Sequence, residues 1–275
     1  MIELPEAAAL ATQVADTLIG RGVTGAEANH TPHKMMGFFG DPASYPDLLV
    51  GRRITGATAW AGHLSVEAGD LRIVLSEGAF PQLYPADAVL PPRHQLRIDL
   101  DDGSTLLVTV AMYGGIQVFH DGENNNPYYK VAMAKPSPLT DAFDAAYFAS
   151  LLVDSRARAL SAKAFLATGQ RIPGLGNGVL QDILWNARLH PKRKVTTLTD
   201  AEQEVLFASV TGTLADMTAA GGRDTERDLF GRPGGYATVM SRTTLELPCP
   251  RCGARVAKMA YLGGAVYFCT DCQVE

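Results

Sequence analysis

The period of apolar and polar positions changes twice along the chain. Residues 7–18 read Ala-Ala-Ala-Leu-Ala-Thr-Gln-Val-Ala-Asp-Thr-Leu, an apolar face recurring at helical spacing. Pro5 stands in the first turn of this helix, Glu3 and Glu6 suit its positive end, and Gly20 stops it. From about residue 22 to 121 the pattern shortens to β-type runs between turn residues, such as 71–75, 96–100 and 105–111. Asp101-Asp102-Gly103 separates the last two and predicts a tight hairpin turn. Several strands behind one helix predict an antiparallel β-sandwich domain over residues 1–123.

Asn124-Asn125-Asn126-Pro127 and Lys135-Pro136-Ser137-Pro138 read as a linker over residues 124–140. Beyond it the period is helical over 141–240, with helices expected at 141–152, 155–167, 178–187 and from Thr199 onward. Thr199-x-x-Glu202 is a capping box, and Gly221-Gly222 ends the helix it opens. Two of these helices are joined by a turn holding Gly174, Gly176 and Gly178. Backbone N–H groups at such a helix start form an anion site that glycine lets a phosphate approach; the plain alternative is an ordinary helix–helix turn. The fold class is therefore α+β.

The last segment, 241–275, holds all four cysteines: Cys249-Pro-Arg-Cys252, sixteen residues, then Cys269-Thr-Asp-Cys272. Two such knuckles joined by a hairpin predict one structural Zn2+ held by four thiolates, with no position left for a catalytic water. Disulfides or unrelated thiols are the alternative, but two symmetric pairs at the end of a large chain are a poor disulfide framework.

Composition changes this picture little. At 275 residues and 47% apolar content the chain can build sizeable cores. Its opening carries no secretory pattern and no apolar run reaches spanning length, so a cytoplasmic protein is expected. The net charge of −5 argues against nucleic acid when taken whole, but it is uneven. Residues 1–150 hold 9 basic against 17 acidic side chains, a net of −8, and residues 151–275 hold 15 against 12, a net of +3. His190-Pro-Lys192-Arg193-Lys194 is the densest basic cluster, so a polyanion would lean on the C-terminal half.

Gly174-Leu-Gly176-Asn177 before a helix, His190-Pro191, the cysteine hairpin ending in Cys272-Gln273 and the opening Glu3-Leu4-Pro5-Glu6 stand in one order. That order resembles the formamidopyrimidine-DNA glycosylase/endonuclease VIII family, over essentially the whole chain and most strongly at its two ends and in residues 164–191. The resemblance implies a helix–two-turn–helix unit beside a β-sandwich, with double-stranded DNA carrying a damaged base or abasic site bound between them by a monomer. It assigns a DNA phosphate to Asn177, a general-acid role to Glu3, and backbone-gripping contacts to the zinc hairpin. It also offers Leu83 as intercalating wedge and Tyr84 as stacker, from Gln82-Leu83-Tyr84, with Tyr113-Gly114-Gly115 as a second loop. For Glu3 the alternative is a carboxylate complementing the helix dipole.

Three positions depart from the family. Ile2 stands where a catalytic N-terminal proline is expected, which leaves the Met1 amine, one residue away, as the remaining candidate nucleophile. His63 stands in place of a lysine, and Gly264 in place of the hairpin-tip arginine, so only backbone N–H groups remain there. The expected activity is lesion-base removal with lost or altered strand cleavage. A non-catalytic damaged-DNA binder and a zinc-stabilised protein-interaction module are the alternatives.

Overall fold

The computed structural model describes residues 1–274. Helix α1 (Leu4–Leu18) is opened by Glu3, whose side chain and that of Glu6 form a reciprocal capping box. Its buried Ala7, Leu10, Val14 and Leu18 face a core shared with the strands.

The strands are β1 (Val23–Ala28), β2 (Met36–Phe39), β3 (Gly56–Trp60), β4 (His63–Ala68), β5 (Leu71–Tyr84), β6 (Leu96–Leu100) and β7 (Thr105–His120). They hydrogen-bond in the order β1-β6-β7-β5-β4-β3, and the expected 101–103 turn joins β6 to β7. All pairs on this path are antiparallel; β2 alone lies parallel, alongside β7. The sandwich's two layers are continuous, because β5 and β7 are long enough to serve both. They bend where a bulge interrupts their register between Glu77 and Ala79. Glu77 takes φ 60°, and a Cβ on Gly78 would stand 2.4 Å from the Tyr113 carbonyl oxygen, so the crossing requires glycine. Leu64, Val66, Leu71, Ile73, Ile98, Leu106 and Val118 fill the enclosed core. A short helix, α2 (Tyr45–Leu49), buries Tyr45 and Leu49 in the same core.

The segment read as a linker contains α3 (Pro127–Ala134). Asn126 caps it by accepting the Tyr128 N–H at 2.9 Å, so the Asn-Pro pair is a helix start rather than loop punctuation. Tyr129 then covers the second face of the sheet, edge-on to Phe119 at 5.4 Å and to Trp60 at 5.8 Å.

The second half contains α4 (Ala145–Val153), α5 (Ala162–Ala167), α6 (Val179–Asn186) and α7 (Asp200–Ala219) around their own core, with Phe148, Phe165, Ile183 and Leu214 at its centre. The helix expected at 155–167 begins only at Ala162, where Ser161 accepts the Ala164 N–H; before it the Asp154 side chain holds the chain in turns. The Thr199/Glu202 capping box is formed, and Gly221 and Gly222 end α7 at φ 76° and 100°. Strands β8 (Val256–Tyr261) and β9 (Gly264–Cys269) form the terminal hairpin. Among the described residues no helix is long and apolar enough to cross a membrane.

Candidate active site

The chain's first three residues are held at the seam of the two halves. The bulge turns the Glu77 carbonyl toward Ile2, whose N–H donates to it at 2.6 Å. The Ile2 side chain is buried in the sandwich core. The Leu4 N–H donates to the Gly174 carbonyl at 3.0 Å, tying α1 to the glycine-rich turn. That turn meets the β3–β4 turn so closely that a Cβ on Gly174 would lie 2.2 Å from the Gly62 nitrogen.

Glu3 is inserted at the start of α6. Its Oε1 accepts the Gly178 N–H at 2.9 Å and its Oε2 the Val179 N–H at 2.8 Å. The anion at this helix start is therefore the protein's own carboxylate, not a phosphate as the glycine pattern suggested. The glycines serve that insertion: a Cβ on Gly176 would stand 2.7 Å from the Glu3 carboxylate, and one on Gly178 would collide with the Arg223 guanidinium.

Arg223 binds the network together, and sequence reading missed it. It follows Gly221-Gly222 and is almost wholly buried. Its Nε and Nη2 donate to the two Glu6 oxygens at 2.9 and 2.8 Å, and its Nη1 lies 3.8 Å from Glu3. Nη2 also approaches the Met1 carbonyl at 3.4 Å and Glu226 at 3.9 Å. The Met1 ammonium is itself ion-paired with Glu226. Burial pushes the Glu3 carboxyl above its ordinary range against the pull of Arg223, and neighbouring Glu6 adds to the rise. Glu6 is also desolvated, but its fork with Arg223 outweighs burial and lowers it.

A cavity of about 890 Å³ opens over this network. Its lining draws Met1, Glu3, His63, Glu77 and Tyr113 from the first half of the chain, and Lys163, Asn177 and the hairpin turn at 262–265 from the second. Met35, Met112, Tyr128 and Leu262 add exposed apolar groups to its lining. Burial depresses His63 to about 4, so its imidazole is neutral at physiological pH and lacks the charge of the lysine it stands for. Its Nδ1 has no hydrogen-bond partner among the described residues.

Asn177 and Gly264 are brought together. Asn177 Nδ2 donates to the Ala265 carbonyl at 2.9 Å, so the helical turn and the hairpin tip meet. Lys163 was not anticipated: it lines the cavity and donates to the Tyr261 carbonyl at 2.5 Å. Lys192 lies 5.7 Å over the Tyr261 ring, whereas Arg193 is turned away to Glu202 at 3.1 Å. Leu83 and Tyr84 are not brought to the cavity. They end β5, paired with Leu106 and Thr105, and Leu83 packs on the sandwich core. Tyr113-Gly114-Gly115, expected as a loop, lies inside β7, where the Tyr113 hydroxyl reaches the cavity 3.5 Å from Met1 Sδ.

The four cysteine sulfurs lie within 4.8 Å of one another. Cys252 and Cys269 are 3.4 Å apart and Cys249 and Cys272 3.9 Å, far too long for disulfides. These spacings bracket the roughly 3.8 Å edge of a tetrahedron with metal–sulfur bonds of about 2.3 Å, so the donor set fits a metal ion. Trp185 Nε1 also points at Cys249 Sγ from 3.3 Å.

No family model matches the chain. Individual relatives do. It is 30% identical over 285 residues to the formamidopyrimidine-DNA glycosylase of Alkalilimnicola ehrlichii, covering 99% of this chain and 100% of the relative. It is 31% identical over 284 residues to that of Chloroflexus aggregans, covering 100% and 99%. The fold is that of Lactococcus lactis Fpg in complex with abasic-site DNA, at a TM-score of 0.83 and 22% identity over 99% of this chain and 100% of that one. MutM in complex with carbocyclic 8-oxo-G DNA is matched at a TM-score of 0.84 and 23% identity over the same shares. With relatives at this identity aligned from end to end, the chain belongs to the formamidopyrimidine-DNA glycosylase family.

Proposed function

We infer that this protein is a DNA N-glycosylase that takes a damaged nucleotide into the cavity and releases its base by hydrolysis, without a covalent step through its N-terminus. The observation that carries this reading is the state of the first two nitrogens. The Ile2 nitrogen is an amide: its lone pair is delocalised into the Met1 carbonyl and its hydrogen is donated to Glu77, so it is not a nucleophile. The Met1 amine is engaged by the Glu226 carboxylate, so attack through it would first have to break that contact. Glu3 is the acid–base group placed at the seam, its carboxyl raised above its ordinary range by burial. In the hydrolytic step water oxygen bonds to C1′ as the C1′–N bond breaks. The electron pair leaves with the base, and Glu3 takes the water proton.

Borohydride reduction during turnover on lesion-bearing duplex tests this. Base release with no protein–DNA adduct is expected. An adduct mapped to the Met1 nitrogen would overturn the hydrolytic reading.

A second reading, a non-catalytic binder of damaged DNA, is favoured by the saturation of Glu3, whose two oxygens are both engaged by backbone N–H groups. Absence of base release from every lesion, with tight abasic-site binding retained, would select it.

The four thiolates are assigned Zn2+, which when bound supplies only cross-linking. The chain's own residues use that hairpin to carry Gly264 and Ala265 against Asn177. Cys252→Ser is expected to release one equivalent of zinc and lower the melting temperature, because one ligand and the knuckle closing on it are lost together. Metal analysis beside a thermal melt checks both parts.

A further inference from the structure

A second cluster of ligating side chains lies on the sandwich, built by strand pairing rather than by a sequence motif. Strand β1 runs antiparallel to β6, and the pairing continues past its end. The Asn29 N–H donates to the Gln95 carbonyl at 2.7 Å and the Thr31 N–H to the His94 carbonyl at 3.0 Å, while Gln95 Nε2 donates to the Thr31 carbonyl at 3.0 Å. Asn29 turns the chain at φ 58°. The result is that His30 stacks on His94 with ring centroids 4.3 Å apart, and Glu27 stands beside both.

Three donor atoms converge here, one from each side chain, and the exposed His30 ring would have to turn out of its stack for one ion to meet both imidazoles. Glu27 Oε1 lies 2.9 Å from His30 Nδ1, and its Oε2 lies 3.6 Å from His94 Nε2. Arg97, opposite Glu27 in register, is drawn to Asp99 instead and leaves the carboxylate to the imidazoles. His94 is 6% exposed, and its Nε2 has no hydrogen-bond partner among the described residues. Its Nδ1 faces the Pro91 carbonyl at 3.4 Å, an oxygen that only accepts. That contact favours the tautomer with the proton on Nδ1, leaving the buried Nε2 lone pair aimed at a carboxylate oxygen. The buried nitrogen therefore faces an exposed carboxylate oxygen with no donor between them, an arrangement that a bridging cation would relieve. A ring fixed by a carbonyl on its far nitrogen is also how protein imidazoles are oriented toward metals.

We propose that Glu27, His30 and His94 form a binding site for a divalent first-row transition-metal ion, separate from the cysteine centre. Two imidazoles and one carboxylate are a borderline donor set that suits zinc, nickel, copper or iron and leaves further positions to water. Glu27 and His30 are exposed side chains and can close the remaining distance to the buried His94 nitrogen. The ion would clasp the segment leaving β1 to the segment entering β6. That segment continues into Met35 and Phe38 on the cavity lining, so occupancy would restrain one edge of the site.

The experiment uses the full-length, zinc-loaded chain and Ni2+ as probe, with bound nickel and zinc both measured after equilibrium dialysis. One nickel per chain is expected, with zinc retained and protons released on binding. Glu27→Gln and His30→Ala change exposed side chains and keep the fold; each should weaken nickel binding by at least about tenfold, the lower end of what losing even an outer partner of a ligand does. His120→Ala, whose imidazole pairs with Asp70 elsewhere, should leave it unchanged. No stoichiometric nickel, or nickel held equally by the Glu27 and His30 variants, would overturn the site.

Discussion

Replacing Arg223 by methionine is expected to destabilise the protein by about 3–5 kcal/mol, as breaking a buried ion pair from one side does. At roughly 2 °C per kcal/mol for a chain of this size, the melting temperature should fall by roughly 6–10 °C. Glu3 and Glu6 are each less than 5% exposed and share this one cation, so its removal leaves two like charges facing each other out of water. Methionine preserves most of the volume, which separates the charge effect from a cavity effect. The pH dependence has a definite sign. In the native chain the Glu6 carboxyl is lowered, so its stabilisation is present above the unfolded carboxyl range and lost as pH falls through the folded value. Without the guanidinium, burial is opposed only by the backbone N–H groups of Glu3 and residue 223, the folded value rises, and the variant loses stability as pH climbs through that raised value. The deficit should therefore be larger at neutral than at mildly acidic pH. Arg223→Lys restores charge without the two-pronged contact to Glu6 and should recover only part of the loss. Equal melting of the methionine variant and the native chain would show that the cluster is not held by this charge.

Arg223 also marks where sequence reading ends. The helix starts were legible because their chemistry is local: Glu3/Glu6 and Thr199/Glu202 each satisfy the backbone within three residues. The cysteine cluster was legible because knuckle spacing is local too. Arg223 is more than two hundred residues from the carboxylates it binds, and nothing near it in sequence names them. A similar distance hides the Met1–Glu226 pair, and a separation of 64 residues hides the stacking of His30 on His94. The glycines at 174, 176 and 178 were recognised for their freedom, but what they make room for comes from the other end of the chain. Local polarity misled in one direction as well. Asn126-Pro127 has the same letters in a linker and in a helix start, and only the burial of Tyr129 decides between them.

Glu3→Gln is expected to reduce base release by roughly two to four orders of magnitude, the usual contribution of a positioned acid–base group, while the protein stays folded. The structural cost can be bounded. Both Glu3 oxygens accept backbone N–H groups, and a glutamine can offer an oxygen to only one of them. The second N–H then faces an amide NH2, at a cost of about 1–3 kcal/mol for an unsatisfied buried donor. A chain with an ordinary stability of about 5–15 kcal/mol tolerates that. Arg223 keeps Glu6 and Glu226 as partners, so no bare charge is created. Binding of an abasic-site duplex should survive, because the Asn177, Lys163 and Lys192 side chains are placed by the hairpin and not by Glu3. Measuring base release, duplex affinity and thermal melting on the same variant therefore separates the two roles open to this carboxylate. Lost turnover with retained affinity assigns proton transfer to Glu3. Unchanged turnover would leave it as the anion that fills the start of α6, and the acid–base group would have to be sought elsewhere on the cavity wall, with Glu77, whose carboxyl is raised by burial, next in reach.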